Sequence, residues 1–191
     1  MKVTREYEDY QLYLDHQKEK SDDPKRVKKW LNEEWDQKIK MFTKIFESNS
    51  AYLTAGGKAL GICARTGQEV VALNNLGLDA IGVDIAPHPP LVIEGDAHDL
   101  PFEDNEFDFV FSNSFDHSIY PAKFISEMER VLKPGGYGLL HLQLTKKVDD
   151  YAENIITSED PVISLLTDSK VCKNKNIKGS CYNKELVFEK D

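Results

Sequence analysis

The sequence is poor in cysteine. Cys63, Cys172 and Cys181 are its only cysteines, an odd number without close metal-ligand spacing. This pattern argues against a disulfide framework and against a zinc site, and it favours reduced thiols. We therefore expect neither a structural disulfide nor a bound metal ion.

Long apolar runs and an excess of basic residues are also missing. No stretch of the 191 residues is apolar enough for a signal peptide or a membrane span. The formal net charge of -9 opposes binding to nucleic-acid phosphates and to anionic lipid. We expect a soluble, cytoplasmic protein without a nucleic-acid or membrane partner, whose composition leaves the oligomeric state open.

The N-terminal region, residues 1–50, is predicted to be a helical extension. Residues 1–20 mix charges with aromatic side chains and suit either a helix or a mobile arm. Asp23 before Pro24 then marks a helix start. Apolar residues at spacings of three and four predict one amphipathic helix from Asp23 to Phe46 that packs on the domain. Its apolar face contains Trp30, Trp35, Ile39, Phe42 and Phe46.

Residues 51–191 are predicted to form an α/β domain, because short apolar runs alternate there with helical patterns. We expect a doubly wound, mostly parallel sheet with helices on both faces. The predicted strands are Lys58–Cys63, Ala80–Asp84, Leu91–Glu94, Phe107–Asn113 and Tyr137–Leu144, with weaker ones near Val171 and Leu186–Phe188. The predicted helices are Thr66–Leu76, a second from Pro121 that includes Leu132 and stops at Pro134-Gly135-Gly136, and a weak one at Glu159–Leu166.

Polar residues follow several of these strands. In an open sheet of this kind, ligands lie beyond the carboxyl ends of the strands. Asp84 ends the second strand, about 20 residues after the first loop. A carboxylate at this position can accept hydrogen bonds from the two hydroxyls of a ribose. Asp96, with Leu100 and Phe102 nearby, suits the exocyclic amine and flat ring of an adenine. The alternatives are a loop cap at Asp84 and a polar turn at Asp96.

Two further features concern histidine. Asp116 and His117 follow the fourth strand, where His117 could act as a general base, or the pair could be a cap and a polar surface group. His98 and His141 lie beside apolar residues, so we expect satisfied histidines at the core or its rim and no metal ligands.

In this order, the motifs resemble those of the type 11 methyltransferases of the class I S-adenosylmethionine-dependent family. The resemblance covers about Lys58 to Leu144, and in finer detail the sequence resembles a group of small plant proteins with this domain. It rests on Asp84, Gly95-Asp96-Ala97-x-x-Leu100-Pro101-Phe102, Phe107-Asp108-Phe109-Val110 and Leu132-Lys133-Pro134-Gly135-Gly136.

The resemblance implies a Rossmann-like fold, S-adenosylmethionine as cofactor and methyl transfer to an acceptor that it does not identify. It places Asp84, with Ile85 beside it, at the ribose hydroxyls. It places Asp96 at the adenine amine with the Ala97 amide nearby, and Ser112 towards the methionine portion.

The first loop departs from the family pattern of an acidic residue and three glycines. These positions hold Gly61, Cys63, Arg65 and Gly67, so that only the last glycine remains. Side chains at positions 63 and 65 narrow the cofactor space or redirect the loop. This departure motivates an alternative, a catalytically silent methyltransferase-like scaffold. A nicotinamide-dependent oxidoreductase fits less well, because the spaced glycines for a pyrophosphate are missing.

Arg65 is the most unusual residue of that loop. Its side chain either holds the cofactor carboxylate or pairs with a protein carboxylate as a structural clamp. Because two positive charges repel in a partly dry cleft, the guanidinium should turn away from the cofactor sulfonium. We expect it within hydrogen-bonding reach of Asp84, Asp116 or Glu69.

Overall fold

A computed structural model describes residues 1–147, 150–178 and 182–191, with the backbone alone at Asp22. Cys181 lies outside these residues, while Cys63 and Cys172 are free thiols. Within the described ranges, no helix has the length and apolar character needed to cross a bilayer. The same ranges contain no cluster of three His, Cys, Asp or Glu side chains placed to hold a metal ion.

The N-terminal segment consists of a short strand and three helices. They are β1 (Lys2–Val3), α1 (Tyr10–Asp22), α2 (Pro24–Lys28) and α3 (Trp35–Glu47), with a π-helical turn at Lys29–Glu33 between the last two. Asp9 caps α1 by accepting from the backbone N–H of Leu12, and Asp23 caps α2 by accepting from that of Lys25. The predicted start at Asp23 is therefore confirmed.

The prediction of one continuous helix from Asp23 to Phe46 is wrong. The π-helical turn and Glu34, at φ -102° and ψ -7°, separate α2 from α3. A π turn holds more residues than an α turn, so it rotates the face of Trp30 away from that of Phe42 and Phe46. Phe42 and Phe46 pack on the sheet at Phe111, whereas Trp30 contacts Arg65.

A seven-stranded sheet forms the centre of the molecule, in the order β4-β3-β2-β5-β6-β9-β8. The first five strands of that order are parallel, and β9 and β8 pair antiparallel. The remaining elements in chain order are β2 (Lys58–Ile62), α4 (Gln68–Asn75), β3 (Asp79–Asp84), β4 (Val92–Glu94), β5 (Phe107–Ser112), α5 (Pro121–Val131), β6 (Leu132–Leu142), β7 (Asn154–Ile155), α6 (Asp160–Ile163), β8 (Ser169–Asn176) and β9 (Lys184–Lys190). Strand β1 pairs antiparallel with β7.

Helices cover both faces of the sheet. Alternate residues of β5 point to opposite sides, so Phe109 and Phe111 pack with Phe46 of α3, while Val110 packs with Phe124 of α5. The predicted α/β class with a mostly parallel, doubly wound sheet is confirmed. The division of the chain at residue 50 stays a prediction.

One predicted boundary needs correction. Leu132 does not continue α5 but begins β6, and Pro134-Gly135-Gly136 lies inside that strand. The pairing of β5 with β6 jumps from Phe107 opposite Leu132 to Phe109 opposite Tyr137. Gly135, at φ 77°, absorbs this irregularity in a left-handed conformation.

Strand order reverses between β2 and β5. Helix α4 leads from β2 to β3 on one side, and α5 leads from β5 to β6 on the other. The loops at the carboxyl ends of these strands therefore diverge and leave a crevice, the usual ligand position in such sheets.

Candidate functional site

A cleft opens at the carboxyl ends of β2, β3, β4 and β5, and α1 covers it. Seven of the ten predicted site residues line it: Cys63, Arg65, Asp84, Ile85, Asp96, Ala97 and His117. Its space for small molecules measures only about 60 Å³. Pockets for small ligands measure roughly 300–1,000 Å³, so α1 fills much of the cleft in this arrangement.

The other three predicted residues lie beside the cleft. A Cβ added to Gly67 would meet Leu91 and Val92, and the hydroxyl of the fully buried Ser112 donates to the Ile62 carbonyl over 3.2 Å. Asp116 Oδ1 lies 4.0 Å from His117 Nε2. The structure therefore does not place these three residues in the cleft lining.

The loop after β2 keeps the left-handed backbone conformation that glycine favours, although two glycines of the family pattern are replaced. Cys63, Arg65 and Gly67 all have positive φ, at 61°, 46° and 82°. For residues with a Cβ this conformation costs roughly 1–2 kcal/mol each. Burial, with the Asp84 carboxylate nearby, also raises the pKa of the Cys63 thiol well above its usual range. Cys63 is thus an uncharged part of the cleft wall and not a reactive thiolate.

Glu69 fills the space beside Gly61, where the family pattern has its acid. A Cβ added to Gly61 would lie 3.3 Å from Glu69 Cγ, so the side chain that α4 supplies occupies this position. Glu69 is buried, and burial raises the pKa of its carboxyl to about 7. The acidic residue that the family pattern has at position 61 of β2 is thus absent, and the Glu69 side chain of α4 lies in its place.

The Asp84 carboxylate is fixed by two backbone amides. Its Oδ2 accepts from the Arg65 N–H and its Oδ1 from the Ala86 N–H, both at 2.9 Å. Each carboxylate oxygen keeps a further lone pair. Asp84 is therefore oriented in the cleft and still able to accept hydrogen bonds from a pair of hydroxyls.

Asp96 is fixed from two sides. Its Oδ1 accepts from the backbone N–H of His98 at 2.8 Å and from His98 Nδ1 at 2.9 Å. Its Oδ2 accepts from the Tyr10 hydroxyl of α1 at 2.5 Å. Burial opposes ionisation of Asp96, but the hydrogen bonds from His98 and Tyr10 outweigh it and hold the pKa below its usual range. Asp96 is thus an anion that α1 engages.

His98 links Asp96 to the loop after β5. Since its Nδ1–H donates to the Asp96 carboxylate, Nε2 of the neutral ring accepts from the Ser118 hydroxyl at 2.7 Å. His98 is 3% exposed, and the buried His141 Nε2 lies 3.0 Å from Glu185 Oε2. Both are satisfied histidines as predicted, and His98 in addition lines the cleft.

The expected pairing of the Arg65 guanidinium with a carboxylate is wrong. Its central carbon lies 4.2 Å from the ring centroid of Trp30. Among the described residues, no acidic side chain forms an ion pair with Arg65, and its buried Nε has no hydrogen-bond partner. The π-helical turn presents Trp30 to this side chain, and the sequence pattern did not predict that turn.

The ring of His117 is held in one orientation. Its Nδ1 lies 2.6 Å from the Tyr151 carbonyl, which can only accept, so Nδ1 carries the hydrogen. In the neutral ring Nε2 then has the free lone pair. The side chain lines the cleft and is one-fifth exposed. This arrangement suits a group that accepts a proton from a bound molecule.

Helix α1 supplies the site residues that the sequence reasoning missed: Tyr13, Gln17, Lys20 and Ser21. The hydroxyl of Tyr13 donates to the His117 carbonyl, and Gln17 Nε2 donates to Glu153 Oε1 at 2.8 Å. A visible signal was the spacing of Tyr7, Tyr10 and Tyr13 by three residues in a charged segment. It indicates one aromatic helix face but does not say what this face covers.

Comparison with known proteins identifies a methyltransferase domain in the chain. Residues 57–140 match the family described as a methyltransferase domain. A methyltransferase of Synechocystis sp. is 35% identical over 97 residues, which are 44% of this chain and 46% of that protein. The demethylmenaquinone methyltransferase of Staphylococcus carnosus is 36% identical over 105 residues, 46% of this chain and 43% of that enzyme. The matching segment thus spans less than half the length of these curated relatives.

Solved structures extend the likeness of fold beyond that segment. A protein of Pyrococcus horikoshii has a TM-score of 0.65 at 20% identity, over 80% of this chain and 91% of its own. The 1,6-didemethyltoxoflavin N1-methyltransferase of Burkholderia thailandensis, solved with 1,6-didemethyltoxoflavin and S-adenosylhomocysteine, has a TM-score of 0.73 at 12% identity, over 100% of this chain and 93% of its own. Residues 57–140 of the chain therefore match the methyltransferase domain family, and the solved structures share the fold of the chain around this segment.

Proposed function

We propose that this chain binds S-adenosylmethionine and transfers its methyl group to a nucleophilic acceptor. The observation that carries the proposal is the pair of strand-end carboxylates, Asp84 and Asp96, held around one cleft by hydrogen bonds. The match of residues 57–140 to the methyltransferase domain and the bound S-adenosylhomocysteine of the Burkholderia enzyme support the same cofactor.

The donor and acceptor groups of the cleft fit this cofactor. Asp84 would accept from the ribose hydroxyls with Ile85 beside them, and Asp96 would accept from the adenine amine with the Ala97 amide nearby. Cys63, Arg65 and Gly67 shape the loop that faces the methionine portion, and Ser112 supports that loop through the Ile62 carbonyl. When bound, the cofactor supplies an electrophilic methyl group on a positively charged sulfur.

The role of His117 in this proposal is that of a general base. Its Nε2 lone pair is directed by the Tyr151 carbonyl on the other side of the ring. It would take the proton of an acceptor hydroxyl or amine, and Asp116 would stabilise the resulting imidazolium across the 4.0 Å separation. Alignment of the acceptor with the methyl group supplies the rest of the rate enhancement.

Entry of the cofactor requires α1 to move outward. The cleft space is about 60 Å³, and the Tyr10 hydroxyl occupies the Asp96 oxygen that the adenine amine would use. The hydrogen bonds that α1 donates, from Tyr13 to the His117 carbonyl and from Gln17 to Glu153, exchange with water at modest net cost when the helix moves. We therefore assign α1 as a cover over the cofactor site.

No observation favours the silent scaffold. Both strand-end carboxylates are present, and the loop after β2 keeps its left-handed path without the glycines. The net charge of -9 supports a small-molecule or protein acceptor over a nucleic acid.

Isothermal titration with S-adenosylhomocysteine tests the proposal directly. We expect saturable binding with one site per chain, and no binding at millimolar concentration would overturn the proposed activity. Competition with nicotinamide cofactors should leave the S-adenosylhomocysteine isotherm unchanged. Methyl transfer from labelled S-adenosylmethionine to candidate hydroxyl, amine and thiol acceptors then identifies the acceptor class.

A further inference from the structure

Arg65 has an unused hydrogen-bond donor beside the cleft. Its Nε is buried and finds no acceptor within the described part of the chain, although Arg65 lines the cleft. A buried N–H without a partner destabilises the folded state, and a bound acceptor removes that penalty. This makes Arg65 unlike Asp84 and Asp96, whose carboxylate oxygens all have donors in the structure.

Trp30 holds the guanidinium in place. The ring centroid lies 4.2 Å from the guanidinium carbon, and Trp30 is 8% exposed. The Trp30 carbonyl in turn accepts from Gln68 Nε2 at 3.0 Å, which ties the π-helical turn to the start of α4. A guanidinium against an aromatic face keeps its in-plane N–H groups available for a planar, two-oxygen acceptor.

Among the residues that the structure describes, Arg65 has no anionic partner. Gly61 lacks the acid of the family pattern, and Asp84 accepts from the Arg65 backbone amide and not from its side chain. Glu69, which α4 places beside Gly61, is an alternative, but burial raises its pKa to about 7 and thus weakens its negative charge. The ligand itself is then the natural source of the missing anion.

We infer that Arg65 binds the carboxylate of the cofactor's methionine portion and makes the cleft selective for cofactor forms that keep this carboxylate. The inference rests on the proposed function. The carboxylate is the single anionic group of S-adenosylmethionine, and Arg65 belongs to the loop that faces its methionine portion. Pairing with the carboxylate also offsets the repulsion between Arg65 and the positively charged sulfur.

The test compares two ligands that differ only in the carboxylate, S-adenosylhomocysteine and its decarboxylated form. Isothermal titration at fixed pH and ionic strength should show that the wild type binds the carboxylate form more tightly by about 10- to 100-fold. Arg65→Gln should lose most of that preference by weakening S-adenosylhomocysteine alone. Arg65→Lys, which keeps the charge without the planar donor pair, should be intermediate.

Lys38→Gln is the matched control. Lys38 Nζ also lies over the Trp30 ring, 5.6 Å from its centroid, but Lys38 does not line the cleft. This variant removes one positive charge from the same aromatic ring and should leave both affinities unchanged. A loss of preference in Lys38→Gln would mean that long-range charge, and not contact with Arg65, sets the selectivity.

The outcomes separate this inference from the proposed function. Equal affinity of the wild type for both ligands overturns the role of Arg65 while leaving cofactor binding intact. An equal loss for both ligands in Arg65→Gln also overturns it. Failure of the wild type to bind either ligand overturns the proposed function and the inference together. If circular dichroism shows Arg65→Gln unfolded, the wild-type preference and Arg65→Lys decide.

Discussion

The Tyr10 hydroxyl donates a 2.5 Å hydrogen bond to Asp96 Oδ2 and thereby joins α1 to the loop after β4. The Tyr10 oxygen lies 2.7 Å from His98 Nδ1 as well, and its ring stacks on Tyr120 at 5.7 Å. In the proposed function, Asp96 accepts from the adenine amine. Tyr10 and the cofactor therefore compete for one acceptor.

Tyr10→Phe should increase cofactor affinity. The substitution removes the competing O–H donor but keeps the ring against Tyr120, so Asp96 becomes available without loss of the aromatic stack. A hydrogen bond to a charged group contributes about 1.5–3 kcal/mol, which corresponds to a gain of about 10- to 150-fold. Isothermal titration with S-adenosylhomocysteine measures it.

Tyr7→Phe is the control for general loosening of α1. The Tyr7 hydroxyl donates to Glu153 Oε1 at 2.7 Å and makes no contact with Asp96. An equal gain in Tyr7→Phe would show that loosening of the cover, and not competition at Asp96, raises the affinity. A weaker affinity in Tyr10→Phe would mean that Tyr10 itself contacts the bound cofactor.

The sequence predicted those parts of the site that depend on local pattern. The parallel strands are short apolar runs, and each places the next polar residue at the same edge of the sheet. Asp84 and Asp96 could therefore be assigned to one cleft without coordinates. The same reasoning was less accurate for Ser112, which does not line the cleft. A side chain at a strand end can turn towards the neighbouring strand, and the Ser112 hydroxyl donates to the Ile62 carbonyl of β2.

The cover and the Arg65 contact could not be predicted in this way. Tyr10 and Asp96 are 86 residues apart, and Arg65 reaches Trp30 because a π-helical turn interrupts a regular apolar repeat. The helix and strand propensities of residues and the periodicity of apolar positions predict structure only within a single helix or strand. Contacts between elements depend on packing, which overrides local preference.

Asp84→Asn should weaken cofactor binding by about 10- to 100-fold, because the amide loses the charge and one of its two acceptor oxygens. The fold should persist, since the remaining oxygen can still accept one of the two backbone N–H groups. Asp79→Asn is the matched control, an exposed position at the opposite end of β3. Similar titration results for Asp84→Asn and wild type would remove Asp84 from the cofactor site.

Gly138→Ala should destabilise the sheet at the contact of β6 with β9. Gly138 lies opposite Phe188, and an added Cβ would come within 2.1 Å of the ring of this fully buried residue. Overpacking of this kind costs about 1–3 kcal/mol of unfolding free energy. In urea unfolding, Phe188→Leu should recover part of the loss in the double variant, and strictly additive effects would show that the ring is not the obstacle.

Glu69 should make the protein less stable as the pH rises. The carboxyl has a pKa of 4.5 when exposed, and burial raises the pKa to about 7 in the folded protein. Below pH 4.5 both states are protonated at this group. Between pH 4.5 and 7 the unfolded state releases the proton first, so the free energy of unfolding falls and then stays low at higher pH.

Glu69→Gln should remove this part of the pH dependence and be more stable than wild type above pH 7. One pKa unit corresponds to about 1.4 kcal/mol, so the difference should approach about 3 kcal/mol at pH 8 and shrink towards pH 4.5. Urea unfolding of both proteins between pH 4.5 and 8 measures it, because all other titrating groups are shared. A difference that stays constant with pH would mean that Glu69 has an ordinary pKa. A growing deficit of Glu69→Gln at high pH would mean that the carboxylate is stabilised in the fold.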